Sequence, residues 1–159
     1  MKNDSHKPKK EPNDPLIGDP RMKGRRWMID TYWDDGKTFN KIDTMKKTIE
    51  ALETGISVVK PGNTADDVAQ AFWKILDKYG IEKTSRTGYS IGIGYPPDWG
   101  EHTLNISKGD MTILEPNVTF HMIAVMQFGD WGVEASEAIR VTETGSELFC
   151  NMSKELHIK

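Results

Sequence analysis

The sequence predicts an α+β domain: two helices packed on one face of a curved, mainly antiparallel sheet. Apolar residues between 42 and 80 recur at three- and four-residue spacing, as on one face of a helix. From residue 86 onward short alternating runs are broken by Gly, Pro and Asn. Helices and strands are therefore segregated along the chain rather than interleaved as βαβ units, which is the α+β pattern. A chain of 159 residues makes one domain, large enough to bury roughly 68–70% of its unfolded surface.

Residues 1–20 hold four of the eight prolines, together with Lys2, Lys7, Lys9 and Lys10 and almost nothing to bury. Such a segment cannot offset the entropy of ordering and is expected to be a disordered, solvated tail. Residues 21–41 carry Trp27, Met28, Ile29, Tyr32, Trp33 and Phe39 with no clear period, and read as a docking segment rather than a ligand box. The folded unit is expected over 42–159.

The first helix is marked by Ile42, Met45, Ile49 and Leu52, with Gly55 placed where a C-terminal cap would sit. Pro61-Gly62-Asn63 makes a turn, and Thr64 is the N-cap of the second helix, with Asp66 and Asp67 favourably placed in its first turn. Val68, Phe72, Ile75, Leu76 and Tyr79 line one face before Gly80 ends it. Strands are expected over Ser90–Tyr95, Met111–Leu114, Val118–Phe128 and Gly132–Thr142, the last two joined as a hairpin at Gly129-Asp130. A short helix from about Ser146 closes the chain. Val68, Phe72, Leu76, Ile113, Phe120 and Met122 are the expected helix-on-sheet core.

Composition excludes more than it assigns. A net charge of -3 gives no global reason to expect nucleic-acid binding. No apolar run approaches the ~20 residues of a bilayer span, and the N-terminus lacks the apolar core of a secretory signal. Cys150, the single cysteine, cannot form an internal disulfide, which fits a reducing cytoplasm. Gly92-Ile93-Gly94 is not a nucleotide fingerprint, because no helix start follows it.

Three blocks then stand out: Gly88-Tyr89-Ser90-Ile91-Gly92 with Pro96-Pro97-Asp98-Trp99-Gly100-Glu101-His102-Thr103; Thr112 to Ile123, containing Glu115-Pro116-Asn117 and Phe120-His121; and Asp130 to Gly145, containing Glu134-Ala135-Ser136-Glu137. Their order and spacing resemble the C-terminal half of the pita-bread hydrolases, which include methionine and Xaa-Pro aminopeptidases, prolidase, creatinase and ectoine hydrolase. The resemblance runs from Ile42 to Leu148. Tyr89, the segment from Pro96 to Glu101, and Phe120-His121 look specifically like the ectoine hydrolase branch. The implied fold is a partial pita-bread.

Peptidases of this family hold two metal ions with two aspartates, one histidine and two glutamates, a donor set suited to manganese, cobalt, zinc or iron. The resemblance puts the family's histidine on Tyr89 and its central-strand glutamate on Ile123. Its last glutamate falls near Ser136, within a residue or two of Glu134 and Glu137. No metal or other cofactor is therefore expected; a divalent metal enters only under a metallopeptidase reading. The two aspartates belong to a first half of the sheet that the resemblance does not find here, so the chain reads as a truncated frame, a degenerate paralogue or a domain completed by another chain.

His121 is the candidate catalytic residue. Strand alternation points His121, Ile123 and Val125 to one face, and Ile123 falls where the family faces its cleft. An imidazole there can act as acid or base near neutral pH, or it can be a hydrogen-bonded strand histidine. The resemblance implies metal-free opening of a cyclic amidine by a histidine at this place. Glu134 shares the parity of Ser136 and is the second catalytic candidate, orienting His121 or binding a cationic amidine; the alternative is an exposed strand glutamate. Glu137 has the opposite parity, so at most one of the two faces the site. Tyr89, His102, Trp99 and Glu137 are candidate substrate-binding residues.

Three functions follow from this reading. The first is a metal-independent C–N hydrolase resembling ectoine hydrolase, acting on a small cyclic amidine. The second is an Xaa-Pro aminopeptidase-like metallopeptidase acting on dipeptide-like substrates. The third is a non-catalytic pita-bread remnant that binds a small molecule or a partner subunit. A homodimer, or a partner supplying the missing half, is expected, with neither nucleic acid nor membrane as partner.

Overall fold

The computed structural model describes residues 41–94, 100–129 and 131–153. The tail over 1–20, nearly all of the docking segment, Trp99 and the Pro96-Pro97 bend lie outside the described residues. Two helices, α1 (Lys41–Ser57) and α2 (Ala65–Lys78), precede five strands: β1 (Gly88–Ile91), β2 (Gly100–Ile106), β3 (Thr119–Phe128), β4 (Trp131–Val141) and β5 (Ser146–Leu148). The strands form one sheet in the order β2-β1-β3-β4-β5, antiparallel at every pairing. The expected α+β architecture is what the chain forms.

Helix α2 begins where the sequence says it should. The Thr64 hydroxyl accepts from the Asp67 N–H at 3.1 Å, and the Asp67 carboxylate accepts from the Thr64 N–H at 2.7 Å. This reciprocal capping box satisfies two otherwise orphaned donors. Gly80, at φ 64°, takes the left-handed conformation that ends the helix. Gly55 is not a cap. It lies buried inside α1, where an added Cβ would stand 2.3 Å from Met122 Cε and 3.4 Å from Phe72 Cβ. The missing side chain lets α1 lie close on β3 and α2.

Side chains along β3 alternate strictly. Phe120, Met122, Ala124 and Met126 are buried on the helix side, while His121, Ile123 and Val125 are partly exposed on the other. On β4 the helix side takes Val133, Ala135, Ile139 and Val141. Val68, Phe72, Leu76, Phe120 and Met122 are core as expected, but Ile113 is 60% exposed and Leu114 is the buried neighbour.

Three elements differ from expectation. Residues 111–114 form no strand: the segment is strapped across the start of α2, with Thr112 O accepting from Ala65 N and Leu114 N donating to Asn63 O. Only a single bridge joins Ile113 to Thr64. Ser146 starts β5 rather than a helix, and Arg140 on β4 holds Glu147 by an ion pair. The alternation read over Ser90–Tyr95 yields a strand only over Gly88–Ile91; Ile93 is almost fully exposed. No strand was expected where β2 pairs with β1. Its register slips between Tyr89 and Ile91, and His102 sits in the slipped stretch at φ 56°, a bulge that hides the alternation.

Candidate active site

The sheet face away from the helices carries the candidate site. Register brings Tyr89 of β1 directly opposite His121 of β3, and His121 opposite Ala138 of β4. The Tyr89 hydroxyl lies 3.0 Å from His121 Nδ1, with the two rings edge to face at 86° and 5.4 Å between centroids. Both residues line an open cleft of about 370 Å³ with Ile91, Gly92 and Gly94. Burial holds the His121 imidazole below the ordinary histidine value, favouring the neutral ring.

Arg86 completes this constellation, and sequence reasoning missed it. Its guanidinium lies 4.8 Å from the Tyr89 ring centroid and donates to Asn105 Oδ1 at 2.6 Å. Asn105 is the β2 residue paired with Tyr89. A lone arginine three residues before a tyrosine carries no signal in sequence; only the pairing of β1 with β2 places it. Glu101 also matters more than expected. Its carboxylate accepts from the Gly94 N–H and packs under Gly92, so it holds the turn that forms the cleft wall. Thr119 ties the same wall from below, donating its hydroxyl to Ile91 O at 2.5 Å.

Glu134 shares the face of His121 but stands opposite Val125. It is four residues along β4 from Ala138, roughly 13 Å at the rise of a strand, too far to orient the imidazole directly. Glu137 pairs with Met122 and falls on the helix side, as the opposite parity required. His102 is exposed on the β2 bulge and is not among the described residues lining the cleft. Ile123 and Ser136 face one another across β3 and β4. The resemblance puts family ligands on Tyr89, on Ile123 and near Ser136, and a phenol, an alkyl chain and a hydroxyl do not fit a dinuclear centre. Among the described residues no cluster of three or more His, Cys, Asp or Glu could hold a metal.

The sequence model for metallopeptidase family M24 matches residues 13–143. The chain belongs to this family. The match reaches back to residue 13, beyond the expected start of the resemblance at Ile42. The chain is 45% identical over 112 residues to the ectoine hydrolase of Halomonas elongata, covering 70% of this chain and 28% of that protein. It is 39% identical over 117 residues to an uncharacterized hydrolase/peptidase of Sinorhizobium fredii, covering 74% and 30%. The chain thus spans under a third of the curated relatives it matches. Among solved structures, the dipeptidase PepE of Mycobacterium ulcerans superposes with a TM-score of 0.64 at 26% identity, over 73% of this chain and 32% of that one. The Xaa-Pro dipeptidase of Bacillus anthracis gives 0.69 at 22% identity, over 82% and 36%. The fold is therefore part of the pita-bread architecture these enzymes share.

Proposed function

We propose that the chain supplies the cleft-forming part of a hydrolase that opens the C–N bond of a small cyclic amidine without metal, with His121 as the acid–base group. The observation that carries this reading is the Tyr89–His121 pair. It lies on the open sheet face that also carries Ile123 and Ser136, on or near which the resemblance puts the family's metal ligands. The 45% identity to an ectoine hydrolase supports ectoine as the first substrate to test. A reducing cytoplasm remains the proposed compartment, on the lone, exposed Cys150.

The test is ectoine ring opening by the purified chain and by His121→Ala. Loss of the imidazole is expected to lower the rate by roughly 10²–10⁴-fold while the circular dichroism spectrum is retained. Unchanged turnover in the variant would remove His121 from the mechanism. Turnover that needs two equivalents of manganese or cobalt and is lost on chelation would replace this reading with the metallopeptidase one. Ectoine binding without turnover, abolished in His121→Ala, would make the chain a binding unit.

A further inference from the structure

We propose that Tyr89 is a positioning residue that fixes the tautomer of His121. Its hydroxyl donates to Nδ1, the imidazole proton stays on Nε2, and His121 meets its ligand as a hydrogen-bond donor. The inference rests on the reading of His121 as the working group, which it narrows from acid or base to donor.

A neutral imidazole has one N–H and one acceptor nitrogen, and the partner of one ring nitrogen decides the role of the other. Among the described residues the Tyr89 hydroxyl is the one hydrogen-bond partner of His121 Nδ1, and that nitrogen is the hydroxyl's one partner. Were Nδ1–H the donor, the phenolic hydrogen would have to turn out of the pair toward the open cleft. The neighbouring group over the Tyr89 ring is the Arg86 guanidinium, which has no acceptor atom and donates to Asn105. The economical arrangement therefore sends the phenolic proton to Nδ1 and leaves Nε2 carrying hydrogen.

Backbone pairing holds this geometry. Tyr89 and His121 are register partners on adjacent strands, Asn105 is the partner of Tyr89 on its other side, and Asn105 N in turn donates to Asp110 at 2.9 Å. The resulting row runs across three strands and ends at the imidazole. In a cleft that His121 shares with Ile91, an N–H at Nε2 suits a ligand that presents an acceptor, a carboxylate or an oxygen gaining negative charge. Deprotonation of the attacking water then falls to a different group.

Two measurements on the full chain decide it, and neither needs turnover, so they stand apart from failure of the proposed hydrolase. Long-range proton–nitrogen correlation spectra of the imidazole read the tautomer directly. The wild-type protein at neutral pH should give the Nε2–H form; a dominant Nδ1–H form would overturn the proposal. Tyr89→Phe keeps the ring and its stacking with Arg86. It should move the tautomer ratio toward Nδ1–H by roughly five- to tenfold, the weight of one net hydrogen bond. An unchanged ratio would refute the assignment. Should Tyr89→Phe fail to fold, the wild-type tautomer alone still decides.

Discussion

Burial makes the native protein bind the His121 proton at lower pH than the unfolded chain does, since the imidazole lies below its ordinary value of 6.5. The sign of the consequence is fixed. Well above pH 6.5 neither state holds the proton and His121 is neutral toward stability. As pH falls through 6.5 the unfolded chain takes up the proton first, so stability declines until the native value is passed and then levels off. Urea unfolding from pH 8 to pH 5 should therefore be steeper in pH for the wild type than for His121→Gln. Parallel curves would mean that the imidazole is as solvated in the fold as outside it. The lowered carboxyls of Asp67, hydrogen-bonded by Thr64, and of Glu50, hydrogen-bonded by Tyr79 and Lys78, titrate further into acid, and Lys83, at about 8, is common to both proteins and cancels in the comparison. At this scale the sequence was half legible. His121 and Tyr89 could each be named, because one falls on a strand face and the other on a motif position. Their hydrogen bond, and the stacking of Arg86, could not be read, because they depend on strand register.

Strand β1 shows how an element serves the site through its least conspicuous residue. Gly88 is buried between β2 and β3, and an added Cβ would stand 2.8 Å from Ile106 Cγ1 and 3.0 Å from the His121 carbonyl oxygen. The second of these is backbone and cannot swing aside. Gly88→Ala should force β1 away from β3, costing about 1–3 kcal/mol as overpacking and lengthening the Tyr89–His121 bond. Denaturant unfolding would measure the first effect and the imidazole spectrum the second; a loss under about 0.5 kcal/mol would mean the strands part freely. Elements with one strong local cause were legible: α2 from its cap and stripe, and the β3–β4 hairpin from alternation and its Gly129 turn. Elements set by distant partners were not. Strand β2 is masked by its bulge, and residues 111–114 look like a strand because their backbone bonds go to the start of α2. The Ser146-Glu147 pair mimics a helix start, yet Glu147 is held by Arg140 across β4.

For the whole molecule the unequal lengths of β1 and β3 have the largest consequence. β3 runs from Thr119 to Phe128, but its pairing with β1 ends at Gly88↔Met122, with Thr87 adding bonds to Ile123 N and O. Odd-numbered β3 residues turn their N–H and C=O toward β1, so those of Val125 and Gln127 project past its end. Among the described residues Lys83 covers this edge, its Nζ donating to Val125 O at 3.2 Å and to Ser85 Oγ at 2.7 Å. A lysine is a common guard of an open strand edge, because pairing with a second chain would bury its charge. Here burial lowers the Lys83 pKa to about 8, so the guard weakens within an accessible range. Below pH 8 the ammonium is charged and opposes edge-to-edge pairing; as pH rises through 8 the charge is lost and that opposition goes with it. Sedimentation velocity of the chain should show association increasing between pH 7 and pH 9. Lys83→Ala should associate at pH 7 as the wild type does at pH 9. Lys83→Arg, which stays charged throughout, should remove the pH dependence while keeping association low. A wild type whose association is flat across this range, or an arginine variant that follows the same pH curve, would show that the open half of β3 is closed by something other than this lysine.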